Sequence, residues 1–317
     1  MLALTLGASL IASASLAETV LKAVSFQPLD SANGRYFMEF AKRINAEVPG
    51  VRVQIIGGPE AMPPDEQGSA LSSGIVHIAQ LSPSRFLGQF AISSYYSVTD
   101  KSPQERRANG TFDMLNEQYV KAMNARSLAS AFYPMGYHLY LGNVGEKALA
   151  GDFSGLKIRG NPTYRPLFDK LGIATIAIAP PEIYTAMERG TVEGYGWPPF
   201  DVIKLGFGPV TKYRVEPSFF HAETVYLINE KAWKSLNDEQ RAAFTKVSAA
   251  FESYASDAVQ SIIADEYKAQ ANAGIKVLTL KGAAKDKFLS AAAAAGWEDV
   301  KAKLPNLYDK LRKMDGL

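Results

Sequence analysis

The stretch from Asn237 to Asn272 constrains the fold of this chain more than any other. Asn237 with Gln240 three residues later reads as a capping box, the 35 residues after Asn237 contain neither Gly nor Pro, and Gly274 supplies a stop. At 1.5 Å per residue such a helix is about 52 Å long. That exceeds the width of a small domain, so a single helix of this length has to run along two packed bodies. A pair of helices with an unmarked break is the alternative reading. The 317 residues agree with the first, since about 100–200 residues make one domain.

Around that helix, short β-like runs alternate with amphipathic helices, the pattern of α/β bodies. Strands are expected at residues 19–24, 51–56 and 75–79, with helices at 35–44 and 66–73, the second stopped by Gly74. A second body begins near Tyr137. It has strands at 156–159 and 173–179, a helix capped by Asn161 with Pro162 at its first position and closed by Gly172, and a helix from Pro181 to Arg189 ended by Gly190. Pro166 sits awkwardly inside the first of these helices. A further strand is expected at 225–228.

The 34 Lys+Arg against 32 Asp+Glu leave a formal charge of +2, too little for a nucleic-acid footprint, so no nucleic acid is expected as partner. With no cysteine there is no disulfide, no thiolate nucleophile and no Cys-ligated metal. Residues 1–17 are apolar and small, with A-x-A-like ends at Ala14 and Ala17 and no charge before Glu18. We read them as a secretory signal peptide cleaved after Ala17, too short to span a bilayer and lacking the usual basic start. The mature chain is then exported. A buried N-terminal helix is the alternative.

Catalytic templates are absent: no G-x-S-x-G, no G-x-G-x-x-G after a strand, no phosphate loop and no H-E-x-x-H. His77, His138 and His221 lack ligand spacing. What remains are binding candidates at strand ends. Arg159 closes a strand, where ligands of open α/β units bind, and a guanidinium matches a carboxylate bidentately. A surface salt bridge explains an exposed Arg equally well. Tyr195 and Trp197, between glycines and Pro198-Pro199, resemble a ligand wall, or else pack an interface. Phe220 and His221 invite the same two readings.

The run Gly155-Leu156-Lys157-Ile158-Arg159, followed by Pro181-Glu182-Ile183-Tyr184-Thr185-Ala186-Met187-Glu188-Arg189-Gly190-Thr191-Val192-Glu193-Gly194, resembles the signature of the DctP-type solute-binding proteins of TRAP transporters. The resemblance extends over essentially the whole mature chain. It implies an α/β, two-lobe periplasmic binding protein fold with interleaved lobes, hinge strands and one long helix spanning both. Lobe I is expected at residues 18–135 plus 223–262, and lobe II at 136–222 plus 263–317. The resemblance also implies a periplasmic protein that is no enzyme; a monomer without cofactor or metal is expected. It would close on an organic acid anion and deliver it to the small and large membrane subunits of a TRAP transporter. Arg159 takes the place of the family's carboxylate-binding arginine. Glu193 stands for the family's aspartate, His138 where a second arginine is common, and Trp197 where an asparagine is common. The last two changes point to an aromatic or hydroxy/keto monocarboxylate held by Arg159, with His138, Trp197, Tyr195, Glu66, Phe26, Phe220 and His221 as further candidates. Loops near Gln27 and Tyr95 are also expected to contribute. An ABC or tripartite tricarboxylate receptor and an exported enzyme are the rival classes.

Overall fold

The computed structural model describes residues 18–83 and 91–317. The expected signal peptide lies outside them. The first part of the chain forms β1 (Thr19–Ser25), α1 (Ala32–Glu47), β2 (Val51–Gly57), α2 (Pro64–Ser73), β3 (Ile78–Leu81), α3 (Ser93–Tyr96), α4 (Pro103–Ala108) and α5 (Thr111–Met123). Next come β4 (Ala125–Leu141), α6 (Glu146–Leu149), β5 (Lys157–Gly160), α7 (Arg165–Lys170), β6 (Ala174–Ala177), α8 (Ile183–Glu188), β7 (Gly194–Trp197) and β8 (Tyr213–Glu216). The chain ends with β9 (Phe219–Asn229), α9 (Glu230–Ser235), α10 (Asp238–Asn272), β10 (Lys276–Thr279), α11 (Gly282–Lys303) and α12 (Tyr308–Asp315).

The strands follow the order β2-β1-β3-β9-β4-β7-β5-β6, with β8 paired to β4 and β10. Parallel β1, β2 and β3 make one wing, and parallel β5, β6 and β7 the other. Long antiparallel β4 and β9 join them: β4 pairs with β9 over its first part, while His138–Leu141 at its end pair with β7. The expected lobe boundaries at residues 135/136 and 222/223 fall inside these two strands.

Local chemistry explains the elements. The Ser31 hydroxyl accepts from Gly34 N and starts α1. A side chain at Gly34 would meet Pro28 O at 2.3 Å, so the chain can turn back there only with glycine. Helix α10 is one element of 35 residues, and both halves of its Asn237/Gln240 capping box form. Near its start Phe244 packs on Phe40 and Trp233. Near its end Gln270 donates to Pro199 O at 2.9 Å and accepts from Arg214 at 2.9 Å. The helix therefore runs along both wings, as its length requires.

Three expectations are corrected. The helix expected from Pro162 starts at Arg165, because the Asn161 side chain accepts from Thr163 N and holds a turn instead. Pro166 thus lies in the first turn, where a missing N–H is harmless. The third strand lies at 78–81 rather than 75–79: Ile75 is exposed and its N–H returns to Ala70 O, continuing the turn at Gly74. The helix expected from Pro181 opens as a 3-10 turn at Pro180–Glu182 before α8. No helix among the described residues is long and apolar enough to cross a membrane.

Candidate functional site

A cleft of about 790 Å³ opens between the wings, beyond the carboxyl ends of the strands. Arg159 enters it from β5 and is buried. Its Nε donates to Ile178 O at 3.0 Å and its Nη1 to Gly196 O at 3.3 Å. The guanidinium carbon lies 5.3 Å from the centre of the Trp197 ring, a cation–π contact. Trp197 in turn donates from Nε1 to Phe200 O at 3.1 Å. Charge and ring are thus fixed at the end of β5 and β7 by backbone carbonyls.

Phe26 and Gln27 line the facing wall after β1, with Asn33 from α1, Asp65 from α2 and Thr224 from β9. Tyr137, Tyr164 and Asn161 complete the side that carries Arg159. At the mouth, Lys204 Nζ stands 3.4 Å from Asp30 Oδ2, bridging the two walls. Asp201 also lines the cleft, its carboxyl pushed above the usual range by burial against the opposing influence of Lys204 and Arg35. At the floor, both Glu223 carboxylate oxygens accept from Arg106 Nη2, at 3.0 and 2.8 Å, and one also accepts from Ser130 Oγ at 3.1 Å. This ion pair is fully buried, with Arg106 between the rings of Tyr96 and Tyr133.

Of the eight residues expected at the site, the structure brings together Arg159, Trp197 and Phe26. The others stand elsewhere, for physical reasons. Tyr195 lies two residues deeper on β7 than Trp197, about 7 Å further from the strand end. There it stacks on Tyr140 at 5.2 Å and bonds Thr211 Oγ1 at 2.7 Å, inside the core. His138 follows Tyr137 on β4, on the opposite face of the strand, where it pairs with Trp197 of β7 but is covered by Tyr267 of α10 and does not line the cleft. Its Nδ1 is 3.0 Å from Val215 O and its Nε2 is 2.7 Å from Tyr267 Oη. A carbonyl only accepts, so Nδ1 carries the proton and Nε2 accepts from the tyrosine. Burial holds this imidazole's pKa below its ordinary value, although the Glu216 carboxylate pulls the other way.

Glu66 is exposed on α2, while its neighbour Asp65 faces the cleft. Phe220 and His221 line a separate cavity under α11 and α12, where His221 Nε2 is 3.0 Å from Asp100 Oδ1. Glu223 and Thr224, further along the same strand, line the cleft instead, since the register of β9 against β4 shifts along this stretch. Gln27 lines the cleft as expected, but the Tyr95 hydroxyl donates to Asp315 away from it. Sequence reasoning missed Tyr137, Tyr164, Asn161 and Asn33. Only Asn161 carried a signal, its place directly after the Arg159-Gly160 strand end. Among the described residues, no group of three or more His, Asp or Glu side chains is placed to hold a metal ion.

Comparison with known proteins places this geometry. The chain is 30% identical over 96 residues to a solute-binding protein of Verminephrobacter eiseniae, a match covering 30% of this chain and 29% of that protein. It is 22% identical over 298 residues to the C4-dicarboxylate-binding periplasmic protein DctP of Rhodobacter capsulatus, covering 90% and 84% of the two. Its fold superimposes with a TM-score of 0.79 on DctP7 of Bordetella pertussis, an extracytoplasmic solute receptor binding pyroglutamic acid. That match has 17% identity and covers 94% of this chain and 100% of the other. The family model for bacterial extracellular solute-binding protein family 7, DctP, matches residues 24–302. A two-wing sheet with a ligand-sized cleft and a family match over residues 24–302 agree: the chain belongs to the DctP family of TRAP-type solute receptors, which are substrate-binding proteins rather than enzymes.

Proposed function

We propose that this receptor takes up an organic acid anion through a carboxylate–arginine pair at Arg159. It closes on its ligand about the two crossing strands, which divide lobe I (18–135 plus 223–262) from lobe II (136–222 plus 263–317), and delivers it as a monomer to the small and large membrane subunits of a TRAP transporter. Export through residues 1–17 would put it in the periplasm. The observation that carries the reading is the guanidinium of Arg159, buried and fixed by two carbonyls at the edge of a ligand-sized cleft. Guanidinium stays charged when desolvated and matches a carboxylate with two parallel hydrogen bonds.

An aromatic or hydroxy/keto monocarboxylate fits these walls better than a dicarboxylate. Among the described residues, the cations lining the cleft are Arg159 and Lys204, and Lys204 faces Asp30. Trp197, Phe26, Tyr137 and Tyr164 supply aromatic surface, and Asn161, Asn33 and Thr224 supply neutral hydrogen-bonding groups. The pyroglutamic acid bound by the Bordetella pertussis receptor is likewise a monocarboxylate.

Native mass spectrometry of the purified protein, followed by a thermal-shift panel of organic acids, identifies the ligand. Calorimetry then tests the anchor. Micromolar binding is worth about −8 kcal/mol, and leaving a buried carboxylate unpaired costs about 3–5 kcal/mol. Arg159→Ala is therefore expected to weaken binding by about two to four decades. Wild-type affinity in that variant would exclude the pair.

A further inference from the structure

Two cavities meet at Arg159. The second, of about 460 Å³, lies behind the strand ends, between the turn after β5 and the segment after β6. Its walls are Pro162, Thr175, Ala177, Ile178 and Ala179, and Arg159, Asn161 and Pro162 line both it and the main cleft. It lies beside β6, which ends the strand order and so leaves its outer edge without a neighbouring strand. Gly160 helps to keep it open: a side chain there would meet Thr175 Cγ2 at 2.7 Å. The guanidinium spans the junction, one hydrogen bond going to Ile178 in the side chamber's wall and one to Gly196, next to Trp197 in the cleft's wall.

We propose that the site is branched at Arg159, and that its ligands are carboxylates whose C2 carbon carries an apolar substituent that enters the side chamber. A carboxylate seated on a guanidinium at a junction directs the groups on its C2 carbon into both spaces, so a branch occupies the one that the main body of the ligand leaves empty. The chamber favours an apolar branch because Pro162, Ala177, Ile178 and Ala179 present apolar surface to it, with Asn161, Thr175 and Arg165 as its polar lining. Arg165, at its edge, lies 3.6 Å from Asp169. The inference rests on Arg159 being the anchor, and the experiment separates the two.

Calorimetry of the full mature chain against glycolate, lactate, 2-hydroxybutanoate, 2-hydroxy-3-methylbutanoate and mandelate, each chiral acid as both enantiomers, grades the C2 substituent from hydrogen to phenyl. Affinity is expected to rise about fourfold per buried methylene along the aliphatic members. Ala177→Phe, which fills the chamber, is expected to bind glycolate within about twofold of wild type and to lose about tenfold or more for mandelate. Ala179→Phe fills it from the next segment and serves if the strand variant misfolds. Affinity in the wild type that is flat or falls along the series overturns the branched site, as does an equal loss for glycolate and mandelate in the filled variants. Binding that follows the series yet survives Arg159→Ala overturns the anchor instead, and no binding by any member overturns both.

Discussion

Arg159 is positioned before a ligand arrives. Two backbone carbonyls hold its guanidinium, and Trp197, itself pinned to Phe200 O, covers one face. Arg159→Lys keeps the charge and loses the fork, so we expect calorimetry to find it closer to Arg159→Ala than to wild type. His138 makes a different prediction, about stability. Its folded pKa is depressed, so below its ordinary value of about 6.5 the unfolded chain binds a proton that the folded chain refuses. Its contribution is present above that pH and is lost as pH falls toward the folded pKa, with a slope of at most about 1.4 kcal/mol per pH unit. Urea unfolding between pH 7 and 5 should show this loss in wild type and a flatter profile in His138→Gln. Sequence reading put this histidine in the site because a motif fixes position along a strand only to within a residue. One step separates Tyr137 in the cleft from His138 behind it.

At the scale of elements, signals carried by neighbouring residues were the legible ones. The capping box, the glycine stops after α2 and α8 and the unbroken run of α10 were all local, and all appear in the structure. Where tertiary packing decided, the reading slipped: Val76 is buried in a turn, so its apolar neighbourhood imitated a strand that begins two residues later. The site was harder still, because its walls come from eight separate segments. Helix α10 offers the clearest element test. Asp257 is exposed near its middle, so Asp257→Pro touches little except the helix itself. It should lower stability by about 3 kcal/mol or more, read from the denaturation midpoint, while Asp257→Ala stays near wild type. Because the two ends of α10 hold different wings, the same kink should weaken ligand binding as well.

For the whole molecule, closure is the expected response to ligand. Small-angle scattering should show compaction at saturating ligand, and an unchanged radius would argue against moving lobes. Asp30 and Lys204 bridge the cleft mouth, but both are solvent-exposed, and exposed pairs contribute about 0–1 kcal/mol. Lys204→Ala should therefore change affinity by less than about fivefold, far less than Arg159→Ala, and the effect should shrink with added salt.

The crossing strands also set the order in which the chain can assemble. Ile78 in β3 finds its partner Ile228 in β9 only 150 positions later, and β4 cannot join the first wing until β9 lies between them. Tyr95 meets Asp315 220 positions further on. Contacts so distant along the chain close slowly and late. During synthesis, the first wing therefore lacks the strand that connects it to the rest until nearly three-quarters of the polypeptide exists. A protein built this way cannot close its central sheet until most of it has been made.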